Sequence, residues 1–183
     1  PLEVALMLRV SSFPACPNIV CILEWFELPK RYVMILERPD PCEDLVDFAD
    51  RSEDTDEEMA KEVMLQLINA LKHCESRGVL HRDVKPENII VRTDTREVKL
   101  LDFGCGDFLK DSAYKQFSGT AVYAHLEVFL VRRYHTRPAT VWSVGVTLYN
   151  VLSECRHLLQ WCLDKNPDNR PNLEEIERHH WFQ

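Results

Sequence analysis

Two short stretches, HRDVKPEN at 81–88 and DFG at 102–104, narrow what this chain can build more than anything else in it. Taken singly, each residue is ordinary loop material. Together they hold a base, a cation and two hard oxygen ligands. Asp83 is suited to accept or orient the proton of an attacking hydroxyl. Lys85 would neutralise a transferring phosphoryl group, while Asn88 and Asp102 offer oxygens of the kind Mg²⁺ prefers. Gly104, beside Asp102, lets the backbone turn where a side chain would collide. The set implies phosphoryl transfer, and it requires a scaffold that carries two separate loops to one place.

The periodicity predicts such a scaffold. EVALMLRV (3–10) reads as the end of an amphipathic helix. NIVCILEWFEL (18–28) and RYVMILE (31–37), rich in β-branched and aromatic residues, read as a hairpin turning at PKR. A capping box with Thr55 as cap and Glu58 reaching back opens a long helix that buries Met59, Val63, Leu67, Leu71 and Cys74 and ends near Gly78. IIVR and EVKLLDF read as two short strands. Helices follow at 140–152 and 155–163, with a last short one capped by Asn172. A strand pair followed by mostly helix is an α+β arrangement, and 183 residues make one domain's worth of chain.

A net charge of -8 argues against nonspecific nucleic-acid binding and favours a basic partner. The acidity concentrates in EDLVDFADRSEDTDEE (43–58), which on its own reads as a solvated loop and helix start. The seven cysteines form no CxxC pair and no Cys/His ligand set, which suggests a reducing compartment, with Cys21 and Cys74 as core packing. No apolar run reaches the length of a membrane span.

HRDVKPEN followed after 13 residues by DFG resembles the catalytic and metal-binding loops of eukaryotic protein kinases. HCESRGVLHRDVKPENII, ILERPDP and AVYAHLEVFLVRRYHTRPATVWSVG narrow the resemblance to the Pim family of serine/threonine kinases. The resemblance implies a protein-kinase-like α+β fold: an N-lobe remnant at 1–37 (end of helix C and two strands), a hinge at 38–41 and a mostly α-helical C-lobe at 42–183. It implies ATP and Mg²⁺, with Asp83 as base, Lys85 on the phosphate, and Asn88 and Asp102 on the metal. Leu36 as gatekeeper, Glu37, Arg38 and Pro39 as hinge, and Ile90 and Leu101 as apolar walls would hold the nucleotide. Pro39 gives that hinge one fewer N–H. Glu3 matches the helix-C glutamate that pairs with the ATP-positioning lysine. Met7, Ile22, His81 and Phe103 match a stacked hydrophobic column. Ser118, Thr120, Glu127 and Arg170 belong to the activation segment and its anchor, the last two as an ion pair. Asp44, Asp47 and Glu87 would bind arginines of a basic protein substrate, Asp44 and Asp47 sharing a helix face if that segment is helical.

The chain also departs from the pattern. Only Pro1 and Leu2 precede Glu3, so the Gly-rich loop and lysine are missing from it. Near 152–153 Leu152 runs almost directly into Ser153, where the family has a loop and another helix, a splice that could fuse the two helices and leave an apolar face uncovered. Thr140 stands where most protein kinases place an aspartate that braces the catalytic loop, a departure Pim kinases share. Ser118 stands where they have an acidic residue, which leaves Arg82 without a counter-charge unless Ser118 is phosphorylated. The expectation is a truncated serine/threonine kinase domain, monomeric, in the cytoplasm or nucleus, inactive on its own. A non-catalytic module for basic peptides and a small-molecule phosphotransferase remain as alternatives. SGTAVYAHLE and VWSVG weigh against the second, because they resemble a protein kinase's peptide-binding segment and helix F.

Overall fold

The structure, a computed structural model, describes residues 1–51, 57–152 and 155–183. Helix α1 (Leu2–Ser11) buries Val4, Leu6, Met7 and Val10 on one face. Strands β1 (Ile22–Leu28) and β2 (Arg31–Leu36) pair antiparallel across Pro29 and Lys30, as the pattern predicts. β1 starts later than expected because residues 18–21 serve another partner. Val20 N donates to Leu100 O at 3.0 Å and Leu100 N to Asn18 O at 2.9 Å. The hairpin stands largely in solvent, with Trp25, Phe26, Tyr32, Val33 and Ile35 exposed. A lone two-stranded sheet is marginal in water, and its free edges invite other strands.

Strand β3 (Cys42–Asp44) leads into helix α2 (Leu45–Arg51). The acidic stretch is therefore more than a solvated loop. Leu45 and Phe48 are buried, and Asp44 Oδ1 accepts from Asp47 N at 2.9 Å as the helix cap. Helix α3 (Glu57–Ser76) buries all five residues expected of it, and Gly78 follows with φ +65°. The capping box at Thr55 lies outside the described residues. Next come β4 (Val79–Leu80), β5 (Ile89–Arg92), β6 (Val98–Leu100) and β7 (Asp107–Phe108). They build one antiparallel sheet in the order β3-β5-β6 and a second ladder, β4-β7. β6 is shorter than EVKLLDF suggests because Asp102, at φ +64°, turns the chain out of the extended path.

Four helices complete the chain: α4 (Leu126–Leu130), α5 (Thr136–Val151), α6 (Arg156–Cys162) and α7 (Leu173–Glu177). Asn172 and Glu175 form a reciprocal capping box at α7, with bonds of 2.8 and 2.7 Å. Helices α5 and α6 stay separate, as the two predicted runs have it, and the splice does not fuse them. Leu152 is extended (φ -153°, ψ 118°), and α6 turns back to pack on α5 at Gly145, where a Cβ would stand 2.8 Å from that of Cys162. The seven cysteines are free; Cys74 packs in the core, but Cys21 is only half-buried. Burial pushes the Cys162 thiol up to about 12. No described helix is long and apolar enough to cross a membrane.

Glu127 on α4 and Arg170 ahead of α7 form the expected ion pair, and it is buried. Two bonds of 2.8 and 2.7 Å join them, Arg170 also donates to Asp164 O and Pro138 O, and its guanidinium lies 4.8 Å over the Trp142 ring. Burial would raise the Glu127 carboxyl, but the Arg170 hydrogen bond and charge outweigh it and hold the carboxyl below its ordinary value. Glu127→Gln strands a buried guanidinium and should cost about 3–5 kcal/mol in a urea titration. Because the folded-state carboxyl is depressed, the pair's stability is present above the ordinary carboxylate range and is lost as pH falls through the folded value. The deficit of the variant should therefore shrink on acidification. An equal deficit at neutral and strongly acidic pH would locate the cost elsewhere.

Candidate active site

Asp83 lies in the loop between β4 and the 3₁₀ turn Pro86–Asn88, and it is buried. Its carboxylate is filled with donors. Thr120 N reaches Oδ1 at 2.7 Å, Lys85 Nζ reaches Oδ2 at 3.1 Å, and Asn88 Nδ2 bonds both Oδ2 and the Asp83 carbonyl, at 3.1 and 2.8 Å. Lys85 Nζ also donates to Thr120 Oγ1 at 2.7 Å. Burial would raise the Asp83 carboxyl, yet the hydrogen bonds from Thr120 and Lys85 hold it below the ordinary range. For Lys85, burial alone would lower its pKa, but Asp83 holds it above the ordinary value. Both groups stay charged at neutral pH.

Asp102 comes to the same place from the other side. Leu101 N donates to Asn88 O at 3.0 Å, which ties the end of β6 to the 3₁₀ turn, and the left-handed turn follows at Asp102 itself. Gly104 is thus not the turning residue. Its bare Cα makes room: a Cβ there would stand 3.0 Å from Asp102 Oδ1 and 3.8 Å from the Glu3 carboxyl. Asp102 Oδ1 accepts from Gly104 N, leaving Oδ2 unengaged among the described residues, and Asn88 spends its amide nitrogen on Asp83, leaving Oδ1. These two oxygens fit a hard divalent cation.

A cleft of about 670 Å³ opens beside Asp102, while Asp83, Lys85 and Asn88 lie outside its lining. Glu3, Leu36, Glu37, Arg38, Ile90 and Leu101 line it with Asp102, and so do Asp44 and Glu87. Pro39 and Asp47 stay outside the lining. Glu37 points its carboxylate back to Cys21 N (2.8 Å) and Lys99 Nζ (3.1 Å). Burial, then the Asp102 charge, raise the Glu3 carboxyl, and no cation lies within ion-pair distance of it among the described residues. Asp44 and Asp47 do not share a helix face, because Asp44 caps the helix that Asp47 belongs to. Met7, Ile22, His81 and Phe103 are all buried, and the His81 and Phe103 rings meet edge to face at 4.8 Å.

Arg82 is not short of a counter-charge. It donates to Cys105 O and Gly106 O and lies 3.4 Å from Asp107 Oδ2. Ser118 lines a separate small cavity beside Arg82, His125 and Thr140. Sequence reasoning missed Asp107, for which only the spacing from DFG was a signal, and the bonding role of Thr120. It also missed Gly119, at φ +132°, whose Cβ would stand 2.5 Å from Arg82 O.

Residues 2–154 match the family described as the protein kinase domain. The chain is 39% identical to the serine/threonine-protein kinase pim-2 of Danio rerio, over all of this chain and 68% of that protein. It is 32% identical to the serine/threonine-protein kinase prk-2 of Caenorhabditis elegans, over all of this chain and 47% of that protein. A PAS domain-containing serine/threonine-protein kinase of Mus musculus is 29% identical over 98% of this chain and 14% of its own length. The pim-2 match runs over 211 positions against 183 residues here, so 28 of its positions have no counterpart in this chain.

Gly119→Ala puts a side chain against the Arg82 carbonyl in a backbone region such residues avoid, and it pushes Thr120 away from Asp83. The expected loss is about 1–3 kcal/mol in denaturant unfolding. An unchanged midpoint would show that the segment adapts freely.

Proposed function

The chain belongs to the protein kinase family, among its Pim-like serine/threonine members, and on that premise we propose that it is built to move the γ-phosphoryl group of ATP onto a Ser or Thr hydroxyl of a basic, arginine-rich protein. The observation that carries this reading is Asp83, buried, ionised and pinned by Thr120, Lys85 and Asn88. A carboxylate so held orients the incoming hydroxyl and takes its proton, while Lys85 beside it meets the phosphoryl oxygens. Asn88 and Asp102 would hold Mg²⁺, which when bound neutralises phosphate charge. Leu36, Ile90 and Leu101 give the adenine apolar walls, and the backbone of Glu37 to Pro39 its edge contacts.

Glu3 supports a qualification of that reading. It faces Asp102 rather than a cation, so the triphosphate meets Lys85 but no second lysine. On this basis the 183 residues hold ATP poorly by themselves and need a lysine-bearing segment to complete the site. The same observation favours a second reading, a non-catalytic module that grips basic peptides through Asp44 and Glu87. A cytoplasmic or nuclear monomer acting on protein partners fits the composition.

Calorimetry on the chain should give Mg·ATP binding weaker than micromolar, since each missing charge-assisted hydrogen bond is worth about 1.5–3 kcal/mol. A micromolar Kd would sink the qualification. With the lysine-bearing segment joined to it, phosphorylation should vanish in Asp83→Asn with nucleotide affinity kept, whereas Asp102→Asn should also lose magnesium dependence. Full turnover in both variants would sink the kinase reading.

A peptide with several arginines before Ser or Thr should bind better than a neutral analogue, by about 0.2–1 kcal/mol per ion pair, and the preference should fade with salt. Asp44→Asn and Glu87→Gln should each reduce it, and Asp47→Asn less, because Asp47 lies outside the cleft lining. An arginine preference untouched by all three would reject the assignment.

A further inference from the structure

Three imidazoles gather where α6 meets the C-terminal turn, and the phosphoryl-transfer groups use none of them. His157 is exposed on α6, while buried His179 and exposed His180 follow α7. His157 Nδ1 and His179 Nε2 are 2.7 Å apart, with their rings stacked at 5.0 Å and 19°. The His180 ring lies 4.2 Å from that of His179 and 5.8 Å from that of His157. One nitrogen from each residue falls within 4.8 Å of the other two.

Hydrogen bonding fixes the protons. Trp181 N donates to His179 Nδ1 at 3.2 Å, so the proton of a neutral His179 is on Nε2. That proton points at His157 Nδ1, and the short contact is an N–H···N bond. A proton held between two imidazole nitrogens, with a third imidazole alongside, occupies the place a metal cation takes.

We propose that His157, His179 and His180 form a site for a divalent cation of the zinc class, joining α6 to the C-terminal turn. Three imidazoles without carboxylates suit zinc, nickel or copper rather than magnesium or calcium. Tetrahedral zinc at ordinary Zn–N distances sets its ligand nitrogens about 3.3 Å apart, so the 2.7 Å pair must open slightly. On binding, the His179 proton passes from Nε2 to Nδ1 and the Trp181 bond is given up. The exposed sides of His157 and His180 leave a fourth position for water.

The test is titration of the full chain with Zn²⁺, and with Co²⁺ as a visible probe. The expected result is one equivalent bound, a rise in melting temperature, and faster amide exchange at Trp181, which the loss of its acceptor requires. His157→Gln and His180→Gln alter exposed side chains and should each weaken binding at least about tenfold, since each removes one of three ligands. Undiminished affinity in both variants would overturn the site. So would intense near-ultraviolet absorption of the Co²⁺ form, which would assign the metal to cysteine thiolates instead.

Discussion

A carboxylate that is almost out of water has to be given donors, and Asp83 collects them from three directions. Thr120 arrives from the chain beyond β7, Lys85 from two residues on, and Asn88 from the 3₁₀ turn that starts β5. Each bond fixes a piece of chain that would otherwise be free loop. The Thr120 contact exists only because Gly119 lets the backbone pass against the Arg82 carbonyl. The Asn88 contact in turn sets the turn whose carbonyl holds Leu101, and so the approach of Asp102. One buried charge thereby organises two loops and the ends of two strands.

Around that charge the balance of the cleft is negative. Glu3, Asp44, Glu87 and Asp102 all face it, and Lys85 is already committed to Asp83. Carboxylates gathered this way disfavour one another, and at Glu3 the Asp102 charge adds to burial in raising the carboxyl.

The long helix, the hairpin and the α7 cap were legible because each rests on a local rule, such as apolar spacing or a reciprocal cap. Asp83, Lys85 and Asn88 are likewise brought together, as their spacing suggested, within one hydrogen-bonded group. What escaped depends on contacts distant in sequence. Asp107 meets Arg82 through the β4-β7 ladder, and residues 18–21 leave the hairpin for Leu100. The acidic run misled for a related reason: its charges hide Leu45 and Phe48, and two apolar residues three apart carry too little pattern to announce a helix.

The junction between α5 and α6 has a topological meaning. Leu152 O accepts from Cys155 Sγ at 3.5 Å, so the chain leaves one helix and enters the next at nearly the same point. Gly145 keeps the two helices in contact whatever joins them. An excursion starting and ending there behaves as a closed loop on a finished surface, and each doubling of its length costs only about 0.6 kcal/mol. Such a place is a hinge for gene rearrangement: sequence can enter or leave it while the helices on either side keep their packing.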